Sequence, residues 1–229
     1  MKKFLPYLIA IAVVTTILFL PGKADACRWR LYDNFNRGYN PDKWDKNDSE
    51  SAKIVFEDGK VCFYHMEGYE EESRWLWVKK YGDRIRGIRA DITVLNPCDG
   101  DVRGRLAGSI AKVGANTAFG QLALQGGLEI PRAYGNLGVQ DPDDPDFWED
   151  LVWARFHQPL DIIGNTFTAK WTFSRYSNYY YLKGYGSIYY VYPKRIRIGG
   201  DRLRVGIGTR STNGDGPCKV CFDNVYILK

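Results

Sequence analysis

The chain has 229 residues, 45% of them hydrophobic and 26% charged, with a net charge of +5 at neutral pH. That composition excludes a disordered chain, and the length suits one domain with a sizeable core. The charge is mild and no Lys/Arg block stands out, which argues against a nucleic-acid partner.

Lys2 and Lys3 precede an almost wholly apolar run, residues 4–20. Pro21 and Gly22 stop it, and Ala24 and Ala26 supply the small residues of a cleavage site before Cys27. This is the layout of a secretory signal: residues 1–26 are expected to be removed, leaving 27–229 as one exported domain with no membrane span. The rival reading is an uncleaved anchor, for which the run is slightly short of the ~20 apolar residues a span needs. Cys27 at the new terminus raises a third reading, a lipoprotein, although Ala24 and Asp25 depart from the usual Leu-Ala-Gly-Cys lipobox. Cleavage removes three Lys and one Asp, and the net charge falls from +5 to +3.

The mature segment then alternates with period 2, interrupted by Gly, Asn and Asp. Strands are expected at 29–35, 52–57, 60–66, 73–80, 86–95, 102–110, 117–124, 150–157, 166–173, 177–183, 186–192, 203–209 and 219–228. The clearest inward faces are Ile88, Ala90, Ile92 and Val94, and Phe167, Ala169, Trp171 and Phe173. Residues 131–149 read as irregular, because Gly, Pro and carboxylates crowd them; the acidic part, Asp141 to Asp146, reads as a solvated loop. A dozen or so short strands without a helix pattern fit an all-β, two-sheet antiparallel sandwich.

All five cysteines, Cys27, Cys62, Cys98, Cys218 and Cys221, lie in the mature segment. An oxidising compartment favours disulfides, and Cys27 is the natural odd one. Cys218 to Cys221 spells C-x-x-C, but zinc would need a second close pair, and a redox pair normally opens a helix rather than a strand. Structural disulfides are expected.

Two distant stretches complete the fold argument. The start reads Tyr32-Asp33-Asn34-Phe35-Asn36-Arg37-Gly38, then Lys43-Trp44; the end reads Phe222-Asp223-Asn224-Val225-Tyr226-Ile227. Together with residues 165–192 they resemble the concanavalin A-like lectin/glucanase superfamily, in its laminarinase-like branch. The resemblance implies a jelly roll whose concave face is the ligand surface and whose first and last strands adjoin. It also implies a structural calcium held by Asp223 and the main chain at Gly59, with Asp33 nearby. It does not extend to catalysis. Glycoside hydrolysis needs two carboxylates flanking the scissile bond, and the branch's E-x-D-x-x-E or E-x-D-x-E strand is missing from the sequence. Glu70, Glu71 and Glu72 are contiguous, so neighbours point to opposite faces. His65 and His157 are too few for a rich metal site.

Loops at one end of a sandwich can meet, so Cys98–Cys218 is the favoured bridge; Cys62 and Cys221 are then strand residues that pair if their strands adjoin. For the ligand surface, Trp75 and Trp77 share one strand face, Trp153 lies in line with Arg155, and Arg103 and Arg105 form an i,i+2 pair. Aromatic rings stack on sugars, and guanidinium forks hold carboxylate or sulfate. Eight tyrosines between Tyr176 and Tyr192 crowd two strands, but period 2 splits them between faces. These residues point to an exported, non-catalytic module for a polysaccharide, possibly an anionic one; the alternative is a glycoside hydrolase or polysaccharide lyase with an unrecognised site.

Overall fold

A computed structural model describes residues 27–229 except 48–51, 66–70, 81–83, 97–100, 114–115, 128–130, 141–147, 158–159, 193–196, 199–202 and 213–217. In chain order its strands are β1 (Trp29–Asp33), β2 (Trp44–Asn47), β3 (Ala52–Glu57), β4 (Lys60–His65), β5 (Glu71–Val78), β6 (Gly87–Asn96), β7 (Asp101–Val113) and β8 (Asn116–Gly126). They continue as β9 (Arg132–Gln140), β10 (Trp148–Arg155), β11 (Thr166–Phe173), β12 (Ser177–Leu182), β13 (Gly186–Val191), β14 (Arg197–Ile198), β15 (Arg204–Thr212) and β16 (Cys218–Leu228).

The strands form two antiparallel sheets. The first runs β13-β12-β11-β6-β16-β4-β3, with β1 also paired to β16; the second runs β10-β9-β8-β7-β15-β5-β2, with β14 on β7. The first and last strands therefore adjoin, with Asp33 opposite Val225. The alternation decides which face of each strand goes inward. Ile88, Ala90, Ile92 and Val94 of β6 are fully buried, as are Val102, Leu106 and Ile110 of β7. Each Ile, Leu and Val side chain among them contributes about 1.5–3 kcal/mol on burial. Trp171 sits among them with its indole N–H donating to Asn178 Oδ1 at 3.0 Å, so the one polar atom of the ring is satisfied. No helix among the described residues is long and apolar enough to cross a membrane.

One expectation needs correction. Residues 132–140 are not irregular: they form β9, paired with β8 on one side and β10 on the other. The inward positions are Ala133, Gly135, Leu137 and Val139. Gly135 is glycine because the Tyr180 ring of the other sheet fills its space; a Cβ there would lie 2.5 Å from that ring. The acidic segment 141–147 lies outside the described residues, as does the Glu70 end of the 70–72 run.

Cys62 and Cys221 stand opposite each other on β4 and β16 and form a disulfide, with Cα atoms 4.0 Å apart. Cys27 is free and exposed. Cys218 is buried and disulfide-bonded; Cys98, its expected partner, lies outside the described residues.

Candidate functional site

The outer face of the second sheet gathers the site. Gly104 and Gly120 point inward, since a Cβ on either would strike Ile92, Val220 or Trp171 of the first sheet. Odd-numbered residues of β7 from Arg103 to Ala107, and Phe119 and Gln121 of β8, therefore point outward. Register extends this face in rows across the strands. Trp77 leads through Gly206, Ala107, Gln121 and Asn136 to Trp153. The neighbouring row runs from Trp75 through Gly208, Arg105, Ala123 and Tyr134 to Arg155. Trp75, Trp77, Trp153, Arg103 and Arg105, read from strands far apart in the chain, thus share one surface.

Their surroundings differ. Trp75 and Arg105 are 8% and 4% exposed and form the floor. Trp75 stacks on Trp77 at 4.7 Å between ring centroids and meets Phe119 edge-on. The Arg105 guanidinium lies 4.2 Å from the Trp75 ring and donates to Thr209 O at 2.7 Å and Ser73 Oγ at 3.1 Å. Packed this way, it is fixed in place, and its stem fills space that Ala could not. Trp153 is 51% exposed and stacks on Tyr134 at 5.8 Å and 12°. Arg204 covers Trp77 at 4.8 Å and pairs with Asp45 at the rim.

Between these aromatic pairs lies a groove of about 320 Å³. Arg103, Arg105, Arg132 and Arg210 line it with Gln121, Asn136, Phe119, Tyr134 and Trp153, and no carboxylate is among the described lining residues. The nearby Asp101 accepts from Arg103 Nε at 2.9 Å. Burial would lower the Arg103 guanidinium, but the Asp101 bond and Tyr134 prevail and leave its pKa raised. Gln121 and Asn136 are each 7% exposed, and their side-chain oxygens have no hydrogen-bond partner within the described protein. Arg132, Tyr134 and Asn136 belong to β9, a stretch that reads as irregular from the sequence; Gln121 is within reach of the sequence, because its strand is expected there and its parity follows.

The tyrosine-rich segment lies elsewhere, on β12 and β13 at the edge of the first sheet. Tyr180 and Tyr192 are buried, while Tyr176 and Tyr189 are exposed. Burial pushes the phenols of Tyr180 and Tyr192 up. His65 is buried between the sheets against Thr209 Oγ1, and His157 is exposed.

The three residues expected around calcium also have defined places. Asp33 is 8% exposed and accepts from Trp44 Nε1 at 2.8 Å and Phe35 N at 3.1 Å, with Lys43 Nζ at 3.7 Å. It organises the segment after β1. Gly59 has φ +69° in the β3–β4 turn, and a Cβ there would lie 2.6 Å from Asn36 Oδ1, so this hairpin packs against the same segment. Asp223 stands opposite Asp91, and the Asn224 side-chain amide donates to both carboxylates. Burial, then the Asp91 charge, raise the Asp223 carboxyl; the Asn224 backbone N–H and Lys60 pull the other way. The one cluster of metal-type side chains among the described residues, Glu57 with Cys62 and Cys221, has both sulfurs tied in the disulfide.

No family model matches the chain, and no curated protein matches it. Solved structures do. The Bacillus licheniformis beta-glucanase superposes with a TM-score of 0.61 at 10% identity, covering 89% of this chain and 97% of that one. The catalytic domain of an endo-1,3-beta-glucanase (laminarinase) from Thermotoga petrophila gives 0.60 at 11%, covering 89% and 99%. The kappa-carrageenase of Pseudoalteromonas carrageenovora, in complex with an oligotetrasaccharide of kappa-carrageenan, gives 0.58 at 12%, covering 91% and 98%. With its two antiparallel sheets and adjoining first and last strands, the chain has the concanavalin A-like lectin/glucanase jelly-roll fold.

Proposed function

We propose that this protein is an exported module that binds a polysaccharide on the outer face of its second sheet and does not cleave it. The observation that carries the reading is the groove itself: among the described residues, arginine, amide and aromatic side chains line it, and no carboxylate does. Two aromatic stacks flank a row of donors and acceptors, the arrangement that holds a sugar by ring stacking and orients it by hydrogen bonds. Glycosidic hydrolysis would need an acid and a nucleophile or base across the bond. Structural neighbours whose names refer to glucan and carrageenan support the ligand class. The apolar run and cleavage-type residues before Cys27, together with the Cys62–Cys221 disulfide, support export.

A calcium ion at Asp223 and the Gly59 carbonyl belongs to the same proposal. Asp91 and Asp223 are like charges on adjacent strands; burial first and the Asp91 charge second raise the Asp223 carboxyl, and a divalent cation would offset both. Asp33 stands nearby with its oxygens already engaged by Trp44 and Phe35.

The test uses protein recovered from outside the cytoplasm, whose first residue by mass spectrometry is expected to be Cys27. It is applied to a glycan array and to a panel of neutral and acidic polysaccharides. Expected are saturable retention on at least one polymer, loss of retention in Trp77→Ala and Trp153→Ala with unchanged circular dichroism, and no new reducing ends or unsaturated uronate. Cleavage products would establish an enzyme instead. Absence of binding across the array at millimolar concentration would leave a structural protein.

A further inference from the structure

We propose that the outer face of the first sheet, on the side of the sandwich away from the groove, lies against an anionic lipid bilayer. Register builds this face in two rows across the strands. One leads from Tyr181 through Lys170, Arg89 and Tyr226 to Leu31. The next leads from Tyr189 through Tyr179, Thr172, Gly87 and Leu228 to Trp29. Their chain neighbours Ile88, Trp171, Tyr180 and Ile227 are fully buried, so both rows point outward. Lys170 Nζ lies 4.7 Å from the centre of the Tyr181 ring and 5.9 Å from that of Trp29, and the Arg89 guanidinium lies 4.7 Å from the centre of the Tyr226 ring. Neither cation forms an ion pair among the described residues. Leu31 at one end of the patch, and Tyr189 and Val191 at the other, are each more than half exposed.

The residue types select a bilayer. Trp and Tyr favour the boundary between headgroups and acyl chains, and Lys and Arg reach from the same depth to the phosphates. Leu31 and Val191 gain by entering the acyl boundary, whereas a sugar offers an aliphatic side chain no ring contact of the stacking kind. Arg28, Arg175 and Lys183 stand exposed at the margins, and an anionic leaflet attracts such cations. Two residues further along β6, Asp91 and the opposite Asp223 bound the patch, held by Thr168 and Asn224. A second, independent observation is where the chain enters the fold. Arg28 N donates to Lys229 O at 3.0 Å, which ties the start of β1 to the closing strand. The apolar run 4–20 lies shortly before it. On the export reading the chain therefore comes to Trp29 and Leu31 from a membrane. Contact through this face adds a surface attachment without a span, and it leaves the groove on the other sheet open to its glycan.

The experiment is co-sedimentation of the protein recovered from outside the cytoplasm with vesicles of phosphatidylcholine alone and of phosphatidylcholine with phosphatidylglycerol, each at low and high salt. At low salt the anionic vesicles are expected to bind roughly tenfold or more tighter than the neutral ones. That advantage should shrink at high salt, as the screening length falls from about 10 Å at 0.1 M to about 3 Å at 1 M. Lys170→Gln should weaken binding to the anionic vesicles about fivefold, which corresponds to ~1 kcal/mol for one cation at an anionic surface. Lys183→Gln, at the exposed margin, repeats the test if the first variant misfolds. Leu31→Ser should weaken vesicle binding several-fold and leave retention on polysaccharide as it is. Equal binding to both kinds of vesicle overturns the proposal, and so do folded variants that bind the anionic vesicles as the wild type does. Loss of polysaccharide retention in a folded Leu31→Ser would give this face to a glycan and overturn the bilayer assignment.

Discussion

At the scale of single residues, the floor of the groove depends on what Gly208 lacks. A Cβ there would lie 2.2 Å from Trp75 Cε3 and 2.3 Å from Arg74 O. Glycine lets the Trp75 ring lie flat over β15, and the ring in turn supports Arg105. Gly208→Ala is therefore expected to cost about 1–3 kcal/mol by overpacking. It should displace Trp75, which intrinsic fluorescence will report, and weaken glycan binding. An alanine variant with wild-type melting and affinity would contradict this account of the floor. Asp223 gives a pH prediction. Its carboxyl is raised by burial and by Asp91, so the folded state holds that proton more tightly than the unfolded chain. The contribution to stability is then present at low pH and is lost as pH rises from the unfolded value near 3.9 through the raised folded value. With chelator at neutral pH, Asp223→Asn should melt no lower than the wild type. Calcium should raise the melting temperature of the wild type alone. A wild type that ignores both calcium and chelator would remove the ion from the proposal.

At the scale of elements, legibility followed the purity of the alternation. β11 reads Thr-Phe-Thr-Ala-Lys-Trp-Thr-Phe, every second residue apolar, and its expected and observed bounds coincide. In β5 and β7 the i,i+2 spacing of Trp75 with Trp77 and of Arg103 with Arg105 puts each pair on one strand face, which sequence alone shows. β9 hid because its inward positions include Gly135, where the sheet yields volume to Tyr180, and because Gly138 and Asn136 look like turn chemistry. Those residues are dictated by packing across the sandwich, which periodicity along one strand does not record. β2 was missed because Trp44 alone is buried in its four residues. A third of the groove's described lining, Arg132, Tyr134 and Asn136, lies on β9. Which strands adjoin is likewise a property of the sheet, so the Cys62–Cys221 bridge stayed conditional until β4 and β16 were seen side by side.

At the scale of the whole molecule, the two sheets divide the work. The first holds the chain ends, the Asp91–Asp223 pair and the disulfide; the second carries the groove. Cys62 and Cys221 are 159 residues apart in sequence and join β4 to the closing strand β16. A bridge closing so long a loop restricts the unfolded chain strongly, by about 5 kcal/mol in the loop-entropy limit and commonly about 2–5 kcal/mol on removal. Replacing both residues in Cys62→Ala/Cys221→Ala leaves two small apolar side chains on adjacent strands and disturbs no residue of the groove. The double variant should therefore unfold at lower denaturant concentration, by about 2–5 kcal/mol, and melt roughly 2–4 °C lower for each kcal/mol lost. At temperatures where it remains folded, it should bind glycan with wild-type affinity, since its sulfurs belong to the other sheet. Equal loss of stability and affinity in a variant with native circular dichroism would show that the sheets are coupled, and the groove would then depend on the closure of the chain.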